Sequence, residues 1–120
     1  MSARFYTVVI DSDDPAALAR FWAAVLEWNI IYEAEDEVVI AKGDDMYPGL
    51  VFGTTPDTKS SKNRLHIDLV PDDQAAEVER VLALGASHTD IGQTGEETWV
   101  VLADPEGNEF CILSAREGGM

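Results

Sequence analysis

Residues 4–11 (RFYTVVID) are β-branched and aromatic and stop at an Asp cluster, which predicts a strand running into a turn. Directly after it, Leu18, Phe21, Trp22, Val25 and Leu26 recur at three- and four-residue spacing. They form one broad apolar stripe, the pattern of a helix that packs on a neighbour. Asp14 marks its start, because its carboxylate accepts hydrogen bonds from the first unpaired N–H groups, and Pro15 at the first helical position loses no bond by lacking its own. Three short β-like runs follow, 29–33, 38–42 and 50–54, separated by acidic residues and by the turn at 43–49 (GDDMYPG). The predicted order is β-α-β-β-β.

After the polar stretch 55–63 the same order returns. Residues 64–70 (RLHIDLV) alternate as a strand, Pro71-Asp72-Asp73 supplies a helix start, and Ala75, Val78, Val81 and Leu82 make the stripe. Gly85 stops this helix by tolerating the left-handed backbone. Runs at 87–91, 98–103 and 109–113 give three more strands, with Asp104-Pro105-Glu106-Gly107-Asn108 as the turn before the last. A shift of 59 or 60 residues places Thr7 on His66, Asp14 on Asp73, and Leu50 and Phe52 on Phe110 and Ile112. A period this long that occurs only twice indicates duplicated modules. The expected domain organisation is a single α+β domain with module one at 4–54, a linker at 55–63 and module two at 64–114.

Charge narrows the partners. The 120 residues carry 8 Lys+Arg against 23 Asp+Glu, a net charge of −15. Such a chain repels phosphate backbones and anionic lipid, so no nucleic-acid or membrane partner is expected and cationic partners become more plausible. The opening MSARFYTVVIDSDD lacks the basic-then-apolar order of a signal peptide, and a cytoplasmic location is expected. The single Cys111 fits a reducing compartment, and one Cys with two His gives no zinc-cluster spacing. Much of the acid is expected in caps, turns and solvent-facing positions (11–14, 33–37, 44–45, 72–73 and 96–97), leaving Asp68, Glu109 and Asp11 near a cavity.

The repeated βαβββ order, the helix text LARFWAAVLEW, the strand LHIDLV, the segment VERVLALGA and the close DPEGNEFCIL resemble the vicinal oxygen chelate superfamily of glyoxalase, bleomycin-resistance and extradiol-dioxygenase proteins. The closest likeness is to its small bacterial glyoxalase-like members, and it covers nearly the whole chain. The resemblance implies two mixed sheets, one per module, curling round a shared cavity, commonly in a homodimer. It also implies a divalent metal held from the first and last strand of each module, usually by His, Glu or Gln, which would act as a Lewis acid. The matching positions here are Thr7, Val51, His66 and Cys111, of which only His66 is an obvious ligand. Glu109, two residues before Cys111, faces the same side of its strand. A catalytic metal normally needs about three protein ligands, so no metal and no other cofactor is expected.

Strand alternation identifies the cavity wall separately. Leu65, Ile67 and Leu69 form one apolar face, expected under the helices, which turns His66 and Asp68 the other way. Tyr6, Val8 and Ile10 likewise oppose Thr7, Val9 and Asp11, and Phe110 and Ile112 oppose Glu109, Cys111 and Leu113. The expected ligand pocket is Thr7, Val51, His66, Asp68, Trp99, Glu109 and Cys111, with Val9 and Val101, an apolar to aromatic surface carrying a few polar groups. His66 is the candidate catalytic residue, a general acid/base or hydrogen-bond anchor, or else a cavity residue satisfied by Asp68 or water. Cys111 reads as a small apolar filler or a nucleophile. Trp22 and Trp28 are core candidates, Trp99 is a stacking platform, and His88 is expected to be exposed. Lys59, Lys62 and Arg64 either meet an anionic group at the pocket mouth or are a solvated linker.

Three functions remain open: metal-independent binding or sequestration of a small molecule, a metal-dependent or His-based lyase, isomerase, hydrolase or dioxygenase-type enzyme, and regulation or protection of a protein partner. The first fits a cationic ligand and an acidic protein.

Overall fold

The computed structural model of the chain describes residues 3–55, 59, 61, 63–90, 93 and 97–115. It contains two compact units, Met1–Thr58 and Lys59–Met120. Each has the βαβββ order expected from the repeat, with two helices and two four-stranded sheets in all.

The first unit comprises β1 (Thr7–Ser12), α1 (Pro15–Leu26), β2 (Asn29–Glu33), β3 (Glu37–Ala41) and β4 (Gly49–Thr54). Its sheet runs β1-β4-β3-β2, with β1 parallel to β4 and the other pairs antiparallel. The Asp14 carboxylate accepts from the Ala17 N–H at 3.2 Å and Pro15 opens the helix, so the predicted cap is the observed one. Leu18, Phe21, Trp22 and Val25 are buried, and α1 packs on β3 and β4. Leu26 is only half-buried, because the helix ends beside it in left-handed Glu27 (φ 57°). Gly49 permits the close approach of β4 to β3, since a Cβ there would lie 2.8 Å from the Ile40 carbonyl oxygen.

The second unit comprises β5 (Ile67–Leu69), α2 (Gln74–Leu84), β6 (Ser87–His88), β7 (Val100–Ala103) and β8 (Glu109–Ile112), with sheet order β5-β8-β7-β6 and β5 parallel to β8. Asp73 caps α2 by accepting from the Ala76 N–H at 3.2 Å. Gly85 (φ 127°) ends it, its N–H meeting the Leu82 and Val81 carbonyls, as its sequence position predicts. The turn before β8 is built on buried Asp104, whose Oδ1 accepts from the N–H groups of Glu106 and Asn108 at 2.9 Å each. Gly107 (φ 89°) takes the backbone conformation that closes it.

Several expectations need correction here: the strand predicted over 87–91 stops at His88, and the one predicted over 98–103 begins at Val100. The strand predicted over 64–70 is only Ile67–Leu69, so Leu65 and His66 precede it. Leu65 is 82% exposed instead of lying under a helix. The stripe of α2 is thin: Val81 is buried, Val78 and Leu82 are half-buried, and Ala75 is exposed. Part of the docking of α2 is polar instead, with Gln74 Nε2 donating to the carbonyls of Thr98 (2.9 Å) and Ile112 (3.1 Å). Of the residues predicted in strands and turns, Ile91 and Glu96 lie outside the described residues, as does Lys62.

Candidate functional site

The chemistry gathers on one face of the second sheet. Asp68 on β5 is in register with Cys111 on β8, which is in register with Val101 on β7. Residues paired across strands share a face, so these three side chains form a row. His66 just before β5, Trp99 just before β7 and Leu113 just after β8 lie at one cavity with these three. With Gln93 and Glu97 these six residues line a cavity of about 420 Å³. His66 Nε2 lies 3.1 Å from Asp68 Oδ1, and both side chains are roughly half exposed (45% and 48%). Cys111 is buried beneath them, and Trp99 is 44% exposed.

Glu109 shares Cys111's parity but does not line this cavity. Its Oε1 accepts from the Asn63 backbone N–H at 2.7 Å and its Oε2 pairs with Lys59 Nζ at 2.8 Å. Burial by itself pushes this carboxyl up. The bonds from Lys59, the Asn63 N–H and its own backbone N–H, with the charge of Lys59, outweigh that and hold it below its ordinary value. Lys59 also donates to the Ser61 carbonyl. Lys59 thus pairs with Glu109, while Arg64 is exposed.

In the first unit, Thr7, Val9 and Val51 line a separate concave surface of about 490 Å³ with Tyr6, Asp11, Asp36, Glu37, Gly53 and Thr54. Tyr6, expected on the opposite side with Val8 and Ile10, lies at this surface with its ring 4.7 Å from that of Tyr47. Here Val9 pairs with Val51, the pair that corresponds under the 59- and 60-residue shift to Asp68 and Cys111. The two modules therefore share a geometry but not a chemistry: the first presents valines where the second presents a carboxylate and a thiol.

Both surfaces carry carboxylates among their lining residues. Asp68 and Glu97 face the second-unit cavity, Asp11, Asp36 and Glu37 the first-unit surface, and among the described residues neither lining contains Lys or Arg. Asp36, Glu37 and Glu97 were expected to serve only turns and solvent. Glu97 and Leu113 have a signal that could have found them, because they continue the alternations Glu97-Trp99-Val101 and Cys111-Leu113. Gln93 and Asp36 come from connecting segments with no such pattern.

The donor set also bears on a metal. Ligating atoms of His66, Asp68 and Cys111 all lie within 4.8 Å of one another. An imidazole nitrogen, a carboxylate oxygen and a thiol sulfur are three donors of the types that zinc-like cations accept. The residues present therefore fit a divalent cation, with Asp68 and not Glu109 supplying the carboxylate.

The comparisons agree with this fold. A glyoxalase/bleomycin resistance protein/dioxygenase family enzyme from Burkholderia phytofirmans PsJN is 19% identical and has a TM-score of 0.71, over 95% of this chain and all of its own (100%). The bleomycin-binding protein of Streptomyces verticillus, solved with copper(II)-bleomycin, is 17% identical with a TM-score of 0.62, over 97% of this chain and 99% of its own. A fosfomycin resistance protein from Mesorhizobium loti is 17% identical with a TM-score of 0.68, over 98% of this chain and 95% of its own. No curated protein sequence matches the chain. Among the described residues, no helix is long and apolar enough to cross a membrane. The glyoxalase-like domain family matches residues 7–113, which establishes the chain as a member of that family, with the fold that these solved structures share.

Proposed function

We propose that the protein binds and sequesters a small cationic molecule with an aromatic part in the cavity of the second unit. The observation that carries this reading is the lining itself: exposed Trp99 with apolar Val101 and Leu113, two carboxylates and, among the described residues, no basic side chain except His66. An indole face attracts a cation and stacks on a ring, and carboxylates beside it add charge attraction and select against anions. These contacts hold a ligand by stacking and charge and require no metal. The structural likeness to a bleomycin-binding protein supports binding as the task of such a fold.

The test is calorimetric titration with matched cationic, neutral and anionic aromatic probes at low salt. The cationic members are expected to bind, to weaken about tenfold when salt is raised toward 0.3 M, and to lose about tenfold in affinity in Trp99→Ala. Equal binding of the neutral analogues, or no binding of any cation at low salt, would overturn the reading.

The His66–Asp68 contact favours one second reading, general acid–base catalysis on a bound substrate, with Asp68 orienting the imidazole. If a metabolite screen finds turnover, His66→Gln is expected to lower it by about 10²–10⁴-fold, and unchanged turnover would remove His66 from any mechanism.

A further inference from the structure

We propose that Tyr6 and Tyr47 form a site of oxidative cross-linking, at which a one-electron oxidant joins the two rings by a carbon–carbon bond and staples the start of β1 to the start of β4. The chain has three tyrosines, and exposure does not distinguish them: Tyr6 is 61%, Tyr32 54% and Tyr47 53% exposed. Contact does. The rings of Tyr6 and Tyr47 stand 4.7 Å apart between centroids and are tilted by 50°. That separation is near the short end of the range of about 4.5–7 Å for paired aromatic rings. Tyr32 lies on β2, at the sheet edge opposite β1, and among the described residues it meets no second ring.

The fold holds the pair together. Tyr6 immediately precedes β1 and Tyr47 lies two residues before β4, and these strands are parallel neighbours with Thr7 opposite Gly49. The Gly49 N–H donates to the Tyr6 carbonyl at 3.1 Å, which ties the two segments at that end of the sheet. Two rings held in contact couple within one molecule, whereas Tyr32 must wait for a collision between molecules. In the step, each phenol gives one electron to the oxidant and its O–H proton to solvent. The two phenoxyl radicals bond through ring carbons ortho to oxygen. The hydrogens on those two carbons then leave as protons while both oxygens take protons back. The balance is two electrons and two protons lost to the oxidant and solvent, two C–H bonds broken and one C–C bond formed. Both rings are more than half exposed, so an oxidant reaches them, and the broad torsion about the Cβ–Cγ bond can turn an ortho carbon toward its partner. Tyr6 lines the first-unit surface, so the new bond fixes one rim of it. It also closes the chain between residues 6 and 47 into a covalent loop, which removes freedom from the unfolded state.

The test irradiates the full chain at low concentration with tris(bipyridyl)ruthenium and persulfate, which together act as a one-electron oxidant. The expected product is a single chain lighter by two hydrogen atoms, with dityrosine fluorescence and with the tryptic segment 5–20 joined to the segment 43–59. Links between Tyr6 and Tyr47 should exceed all links to Tyr32 by about tenfold or more. Tyr6→Phe and Tyr47→Phe keep the ring and so the fold, and each should abolish the single-chain product. Tyr32→Phe should leave its yield unchanged. The cross-linked chain should unfold at a higher urea concentration than equally irradiated Tyr47→Phe. The proposal is overturned by any of four results: no dityrosine under irradiation that couples free tyrosine, a single-chain product that survives either variant, links to Tyr32 in equal yield, or an unchanged urea midpoint.

Discussion

Replacing Trp22 by alanine is expected to destabilise the protein by about 3–5 kcal/mol, read as a large fall in the midpoint of urea unfolding. Trp22 is 2% exposed and meets Phe21 edge to face, with ring centroids 5.3 Å apart. It lies on α1, which packs on β3 and β4, where Val38, Ile40 and Phe52 are fully buried. Removing the indole leaves a void that a helix pinned on a rigid sheet cannot collapse to fill. The matched control is Trp99→Ala. Trp99 is 44% exposed, so the same substitution there should change stability by less than about 1 kcal/mol while weakening the cationic probes. The pair separates a tryptophan that holds the fold from one that presents a binding face. If Trp99→Ala proves as damaging to stability as Trp22→Ala, Trp99 belongs to the core and the pocket reading loses its platform.

What was legible in the sequence was local or periodic. Asp14, Asp73 and Gly85 act within one turn of where they sit, so their capping roles needed no tertiary information. The Asp68 and Cys111 side of the second sheet followed from alternation alone, because strand parity fixes the face of every residue in regular structure. The failures are non-local. His66 and Leu65 were placed inside a strand by their alternation. Asn63 just before them, however, donates its backbone N–H to Glu109, and its side-chain amide reaches Asn108 Oδ1 at 3.5 Å, bonds that span 46 and 45 residues of sequence. A side-chain carboxylate thus takes the backbone donor that a longer strand would have used.

Glu109 shows the limit of parity differently. Its parity matches that of Cys111, but at a strand end a long side chain can turn to a partner, and Glu109 pairs with Lys59. A donor count confined to the positions the resemblance supplies omits Asp68, whose carboxylate lies with the His66 imidazole and the Cys111 thiol within 4.8 Å. Glu97, Asp36 and Glu37 have local reasons to be acidic at the surface, and they also line the concave faces, which their turn positions alone do not indicate.

The Lys59–Glu109 pair should make the second unit sensitive to acid. The Glu109 carboxyl is held below its ordinary value in the folded protein, so in the acid range the unfolded chain binds the proton more readily than the folded one. The stabilisation is therefore fully present above the unfolded value of about 4.3 and is lost as the pH falls through the lower, folded value. Glu109→Gln removes the charge while keeping the shape, and is expected to cost about 1–3 kcal/mol at pH 7. That gap from wild type should narrow as the pH drops from about 5 toward 3, measured as unfolding free energy against pH. The cost comes from desolvated partners left behind: the Lys59 side chain is only 21% exposed, and the Asn63 N–H must find an acceptor as strong as a carboxylate. Lys59→Met should cost a similar amount, and the double substitution less than the sum, because each single change already breaks the same contact. Additive losses, or a gap from wild type that is constant across the acid range, would mean that the pair does not act as a unit. The consequence reaches the cavity, since Asn63 stands three residues before His66 and the Glu109 clamp sets where that segment enters β5. Loosening the clamp should therefore broaden the positions that the His66 ring explores, without altering the face that Asp68 and Cys111 hold by strand register.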